Sequence, residues 1–223
     1  MNSRVDHAVL NNVAWCGIVC GTHGIKHTIK GNLWGLHRKA PTFYPEIITV
    51  SRNAMSEEVR YFIENGDVSS IKDSYTNLDL LPYGFTILFE AEWIYHASVS
   101  IVNSIQSTWR VITTEKDLAE WTSASDLENV IKPNLLKFSD VKIFMNEKNG
   151  ELSGFIANLS ANVVGVSNVF STSNESVWED IPGQVSTEFP GVSMVGYEHN
   201  NDLKAAQLSG WTSIGPLRVW GKQ

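Results

Sequence analysis

Cysteine is scarce in this sequence: only Cys16 and Cys20 occur among 223 residues, and they stand four positions apart. Two cysteines so close together cannot link distant parts of a fold by a disulfide. Small secreted domains that depend on disulfides carry more cysteine than this. We therefore expect two free thiols and a cytoplasmic protein.

Long hydrophobic runs are also missing. A segment that crosses a bilayer needs about 20 predominantly apolar residues, and no stretch of the sequence has that character. Near the N-terminus, Asp6, Asn11 and Asn12 interrupt what would be the apolar part of a signal peptide. The sequence thus predicts neither a membrane partner nor a secretory signal.

Basic residues are outnumbered. The chain has 17 Lys and Arg against 24 Asp and Glu, which gives a net charge of −7. Proteins that bind nucleic acids cluster Lys and Arg against the phosphates, so we expect no nucleic-acid partner. A negative chain mildly favours a cationic substrate, although net charge alone identifies none.

Apolar and aromatic residues, by contrast, are plentiful. Hydrophobic residues make up 43% of the chain, with eight Trp, nine Phe and six Tyr. This composition excludes a disordered or fibrous chain and supplies a sizeable core. The length allows one large domain or two small ones, and a homodimer stays open.

The first half of the chain gives mixed structural signals. Apolar residues recur at helical spacing over 5–21, whereas Gly and Pro punctuate 25–46 and predict irregular structure there. Ser56 is typical of a helix N-cap. β-Branched and aromatic residues predict a long strand over 85–95.

The second half is more regular. Strands are predicted at 109–112, 141–145, 151–158, 162–170, 192–196 and 211–220, with the three from 141 to 170 forming an antiparallel meander. Helices are predicted after Thr113 or Thr114, over 175–189 with Ser173 or Asn174 as its cap, and over 202–209. Pro182 lies inside the second of these helices and favours two pieces.

Three polar groupings have both a functional and a structural interpretation. Cys16, Cys20, His23 and His27 could bind zinc, but the spacing is tight and the two thiols lie on the apolar helix stripe, so no metal site is predicted. Glu90 and Glu92 could do acid–base chemistry or lie on a solvated strand face. The run 72–75 could be a polar clamp or a turn.

The order of elements over 107–223 resembles the GNAT superfamily of N-acetyltransferases. Val164–Phe170 is similar to the family's fourth strand, and Val195-Gly196-Tyr197-Glu198 to its fifth. The run 202–211 resembles the family's last helix, which ends in an Ala-x3-Gly-aromatic pattern. Residues 1–106 match no family motif.

The resemblance implies an α/β (α+β) fold with a mixed, mostly antiparallel sheet and flanking helices. It implies a GNAT-like domain over 107–223, with an N-terminal extension or subdomain over 1–106. In the family, acetyl-CoA lies between the splayed fourth and fifth strands, and its pyrophosphate binds at the start of the following helix. The cofactor-binding residues implied here are Asn168, Val169, Phe170, Ser171, Ser173 and Asn174.

The implied reaction is transfer of an acetyl group from acetyl-CoA to a small amine or a protein amine. Glu198 would take a proton from the amine, and Tyr197 would donate one to the leaving thiolate. The family's loop after the fourth strand is Gly-rich, whereas residues 171–176 of this chain contain neither Gly nor Arg. The alternative is therefore a non-catalytic GNAT-like module that binds a ligand or a protein and has lost acetyl-CoA binding.

Overall fold

The computed structural model describes residues 3–100, 108–173 and 175–222, and it begins with a long helix, α1 (Arg4–Thr22). The Ser3 hydroxyl accepts a hydrogen bond from the Asp6 N–H, and the Asp6 carboxylate accepts one from the Ser3 N–H at 2.7 Å. This reciprocal capping box satisfies N–H groups that would otherwise lack partners at the helix start. The helix predicted over 5–21 is confirmed.

The other helices are shorter. They are α2 (Arg60–Asn65), α3 (Glu115–Ala124), α4 (Ile181–Glu188) and α5 (Asn200–Leu208). Short 3-10 helices lie at Ser56–Val59, Leu81–Tyr83 and Pro133–Lys137. The side chain of Thr114 caps α3 by accepting a hydrogen bond from the Asp117 N–H. Of the two predicted caps, Thr113 and Thr114, the second is therefore the one used.

Eleven strands of the described residues form one sheet. In chain order they are β1 (His27–Lys30), β2 (Leu33–Leu36), β3 (Ile47–Thr49), β4 (Ser70–Asp73), β5 (Thr86–His96), β6 (Trp109–Val111), β7 (Val141–Lys148), β8 (Glu151–Ser160), β9 (Val163–Ser171), β10 (Met194–Glu198) and β11 (Thr212–Gly221). Their spatial order is β1-β2-β3-β4-β11-β5-β10-β9-β8-β7-β6. The β3–β4 and β9–β10 pairs are parallel and the others antiparallel, so the predicted mixed, mostly antiparallel sheet with flanking helices is confirmed.

Both halves of the chain contribute to the centre of this sheet. Strand β5 comes from the first half, yet it lies between β10 and β11 of the second half. The predicted boundary between 106 and 107 falls outside the described residues, and that division into two units stays a prediction.

Alternate residues of the central strands pack on opposite faces of the sheet. On one face, α1 and α3 cover a core that includes Trp15, Trp121 and Ile143. On the other face, α4 and α5 cover Phe144 and Met194. The central strands are thus covered on both faces, which agrees with the rich supply of aromatic residues.

Two segments differ from the sequence-based predictions. The stretch 25–46, predicted to be irregular, contains β1 and β2, which form a hairpin closed through Gly31 at φ 59°. Ser56 is not an N-cap: it begins a 3-10 helix, and its hydroxyl accepts from the Asp79 N–H. Strands of three or four residues carry too little periodicity to be separated from loops.

Candidate functional site

The parallel neighbours β9 and β10 are joined only where they begin. Val164 pairs with Met194 and Gly165 with Val195, and no ladder pair joins the two strands beyond Val195 in the described part of the chain. Their carboxyl ends therefore form an open wedge in the sheet. Such a break between strands is where open α/β sheets bind ligands.

A bulge in β9 shapes one side of this wedge. Opposite β8, the register shifts by one residue between Ser167 and Phe170, and Asn168 adopts φ 53°. A bulge of this kind leaves one residue unpaired and redirects the neighbouring side chains. Buried oxygens of Ser167 (Oγ) and Asn168 (Oδ1) have no hydrogen-bond partner within the described residues. Buried polar atoms without partners are rare in native proteins and suit a ligand.

A cavity of about 870 Å³ continues from the wedge beneath α1. Its walls are residues 165–169 of β9, the end of β10, parts of β4 and β5, one side of α1 and the loop 39–46. This volume is typical of small-molecule sites.

Glu198 lies at the end of β10, where the wedge is open. Burial, with the charge of Asp202 second, raises the pKa of the Glu198 carboxyl to about 8. A carboxyl with a pKa near neutrality exchanges protons readily at physiological pH. Glu198 thus combines a position on the cavity wall with the properties of an acid–base group.

Tyr197 and His199 flank Glu198 and also line the cavity. The Tyr197 ring contacts Trp93 edge-on with centroids 5.5 Å apart. The His199 ring lies 4.9 Å from Phe89, and its buried Nδ1 has no partner in the described parts of the chain.

A buried lysine on β4 is the feature that sequence analysis missed. Lys72 is only 3% exposed, its Nζ donates to Asn12 Oδ1 at 2.9 Å, and it lies 4.2 Å from the centre of the Tyr197 ring. The sequence leaves the run 72–75 open between a turn and a polar clamp, because β4 is too short to recognise. No local pattern joins Lys72 to Asn12, which is 60 residues away.

Glu46 is a second buried charge at the cavity. It accepts hydrogen bonds from the N–H groups of Ala40, Ser69 and Ser70 and from the Ser69 hydroxyl. Because these donors satisfy its carboxylate, Glu46 fastens the loop 39–46 to the start of β4. Its role is to hold one wall of the cavity.

The residues assigned to cofactor binding do not all lie together. Asn168 and Val169 line the cavity. Phe170 packs edge-on against Trp121 at 5.1 Å, outside the cavity lining. Ser171 and Ser173 are bonded to each other, and Ser171 also to Ser153. Asn174 lies outside the described residues, and the binding roles of this set stay predictions.

Helix α4 begins later than predicted. It starts at Ile181 rather than near residue 175, so Ser173 is not its cap, and the Ser173 hydroxyl instead accepts from the Glu175 N–H. Asn174, the other predicted cap, lies outside the described residues. Pro182 occupies the first turn, where a missing N–H costs nothing. The N-cap residue is Asp180, whose carboxylate accepts from Trp109 Nε1.

The other polar groupings have structural surroundings. Cys16 and Cys20 are buried thiols, His23 bonds to the Val130 carbonyl, and His27 stacks on Trp34. Within the described ranges, no three His, Cys, Asp or Glu side chains are arranged to hold a metal. Glu90 is exposed and pairs with Arg218 at 2.8 Å.

Glu92 stands opposite Glu198 on the neighbouring strand β5, and it is not among the cavity-lining residues.

Over the residues that the structure describes, no helix is both long enough and apolar enough to cross a membrane.

Comparison with solved structures identifies the fold as GNAT-like. A GNAT-family protein from Novosphingobium aromaticivorans DSM 12444, assigned as an acetyltransferase, superposes with a TM-score of 0.61 over 96% of this chain and 99% of that chain, at 15% identity. A functionally unknown conserved protein from Staphylococcus epidermidis ATCC 12228 gives a TM-score of 0.56 over 79% of this chain and 83% of its own, at 9% identity. The sequence matches no known family profile and no curated protein. At these identities the likeness defines the fold, and function has to be argued from the site.

Proposed function

We propose that this protein transfers an acetyl group from acetyl-CoA to the amine of a small molecule or a protein. The observation that carries the proposal is the open wedge between β9 and β10, with Glu198 at its end. A cavity continues from the wedge and is large enough for an acceptor.

The polar lining of the wedge fits the amide-bearing arm of acetyl-CoA. Ser167 Oγ and Asn168 Oδ1 are buried without partners in the described structure, and they would bond to groups of that arm. Bound there, acetyl-CoA supplies an acetyl group already activated as a thioester. Val169 would add apolar contact beside them.

Glu198 is the proposed general base. As a carboxylate it accepts the proton that the attacking amine must lose, directly or through one water. Its pKa of about 8 matches this task, because the group can take up a proton and release it again near neutral pH. Tyr197, next to it on the cavity wall, is the proposed proton donor to the leaving thiolate.

Acetyl-CoA should raise the melting temperature of the protein in a concentration-dependent way, because it binds the native state only. Gly196→Val should remove this shift. A Cβ at Gly196 would lie 3.0 Å from the Val166 carbonyl oxygen, so the valine side chain fills the space between β10 and β9. The measurement is thermal unfolding of both proteins with and without acetyl-CoA.

Gly21→Val is the matched control, since a Cβ there meets no atom within 4 Å and Gly21, near the end of α1, lies outside both the cavity lining and the start of α4. This variant should keep the acetyl-CoA shift. Absence of any shift of the wild-type protein at about 1 mM acetyl-CoA would contradict the proposal.

A second candidate function is a non-catalytic module that binds a ligand or a protein through the same cavity. One observation at the start of α4 favours it. The N-cap residue Asp180 would place a negative charge beside a bound diphosphate, and Pro182 in the first turn has no N–H to donate to it. Binding of a ligand other than acetyl-CoA at the wedge, without transfer, is the result that this alternative predicts.

A further inference from the structure

Lys72 is a buried cation whose charge is not balanced by the protein around it. It lies on β4, inside the sheet, with 3% of its surface exposed. No carboxylate of the described residues lies within 4 Å of its Nζ. The lysines and arginines of the described residues that do form ion pairs at this distance are all far more exposed than Lys72. Buried charges are usually paired because removal from water is costly.

The groups around the ammonium leave it capacity for a ligand. An ammonium has three N–H donors, and one of them bonds to Asn12 Oδ1 at 2.9 Å. The Tyr197 ring at 4.2 Å adds a cation–π contact, which stabilises the charge without neutralising it. Lys72 and both of these neighbours line the cavity.

Glu46 does not serve as the missing partner. Four donors from residues 40, 69 and 70 already occupy its carboxylate. The lysine that approaches Glu46 is Lys39, at 4.0 Å, and not Lys72. The cavity therefore presents a cation that an anionic ligand group can pair with.

Lys72 faces the cavity from the side opposite the wedge. In the sheet, β11, β5 and β10 separate β4 from β9, which carries Ser167 and Asn168. The ammonium reaches the Tyr197 side chain on β10. Glu198, the next residue, extends from the other face of the strand and lines the same cavity at the end of β10. A ligand that contacts Lys72 thus lies in the cavity that Glu198 also lines.

We infer that the acceptor carries a carboxylate, which Lys72 binds while the amine of the same molecule is presented to Glu198. The acceptor is thus a small molecule of the amino-acid type, and this inference rests on the proposed function. Trp15, Trp93 and Tyr44 line the same cavity and supply apolar surface for the remainder of such a molecule. Their exclusion of water strengthens the ion pair.

The test uses pairs of probes that differ only in this charge: glycine, L-leucine, L-phenylalanine and L-glutamate, each against its α-carboxamide. Acetyl transfer to the preferred acid should have a kcat/KM higher than that of its amide by about tenfold to a hundredfold, the usual worth of a charge-assisted hydrogen bond. In Lys72→Met the difference should vanish through a higher KM for the acid. Lys30→Met, an exposed lysine on β1, is the control and should keep the preference.

Direct binding separates this inference from the proposed function. Calorimetry with the N-acetylated acids and amides requires no turnover, and wild-type protein should bind an acid more tightly than its amide. If acetyl-CoA binds but no acid is preferred over its amide in either measurement, the inference is wrong and the proposed function survives. If Lys72→Met instead weakens acetyl-CoA binding, the lysine holds a phosphate and the inference is also wrong.

Discussion

Glu198→Gln is expected to lower kcat/KM for acetyl transfer by about 10²–10⁴-fold, which is the usual contribution of a general base. Glutamine keeps the size of the side chain but cannot accept the proton of the amine. Acetyl-CoA binding should be preserved, since the residues proposed to hold its arm lie on β9. Steady-state kinetics together with a calorimetric acetyl-CoA titration would check both expectations.

The pH dependence gives a sharper form of this prediction. Because the base must be ionised, kcat/KM of the wild-type protein should rise with pH through about 8, the pKa of Glu198 in the free protein. In Asp202→Asn this rise should move to lower pH, since the Asp202 charge helps to raise that pKa. Glu92 stands opposite Glu198 on the neighbouring strand β5, and it is left unsubstituted in all of these variants.

Glu90→Gln is the control, because Glu90 is exposed and bonded to Arg218. It should leave the profile unchanged. Turnover of Glu198→Gln at the wild-type rate would remove Glu198 from the mechanism.

Asn11→Ala is expected to lower the free energy of unfolding by about 2–4 kcal/mol. Asn11 is buried in α1, and its amide nitrogen donates to the carbonyls of Asn158 and Val163, both at 3.0 Å. Its oxygen accepts from the Asn158 amide at 3.1 Å. Alanine removes these hydrogen bonds and leaves the buried Asn158 side-chain amide without its Asn11 acceptor, so the junction between α1 and the cavity wall weakens. Urea unfolding measures the loss.

Asn65→Ala is the matched control. Asn65 also lies in a helix, but it is exposed, and its side-chain amide donates to the Tyr61 carbonyl within the same helix. The expected change is within about 0.5 kcal/mol. Equal stability of Asn11→Ala and wild type would show that the helix does not depend on this contact.

Gly165→Ala tests the same junction from the sheet. A Cβ on Gly165 would lie 1.9 Å from Asn11 Oδ1, so the asparagine has to move away. We expect a loss of about 1–3 kcal/mol from this overpacking. The double variant should lose less than the sum of the two single losses, because both substitutions break one contact. Additive losses in urea unfolding would contradict this coupling.

Much of the C-terminal half could be predicted from sequence because its strands are long and joined by tight turns. The meander β7–β8–β9 and helix α3 follow local patterns of apolar residues and caps. Strands β2 and β3 are buried along their whole length and only four and three residues long, so they show no alternation. The sequence pattern over 175–189 places the start of α4 too early and puts Pro182 in the helix interior, whereas Pro182 lies in the first turn.

The residues of the candidate site also fall into two groups, those that a local sequence pattern indicates and those that only the folded chain brings together. Asn168 and Glu198 could be named as candidates because Asn168 lies within a recognisable strand and Glu198 lies at the end of one. Lys72 and Asn12 could not, because they meet only when α1 packs on β4. The sheet neighbours of β5 were equally hidden, since pairing over long sequence separations leaves no local signal.

The position of β5 between β10 and β11 has a consequence for synthesis on the ribosome. Both partners are translated later, and on the order of 100 residues separate the end of β5 from the start of β10. At about 5–20 residues per second, the nascent chain therefore carries an unpaired strand for about 5–20 seconds. An unpaired strand with two bare edges invites association between chains. We expect chaperone supply during translation to govern the yield of native protein at high expression.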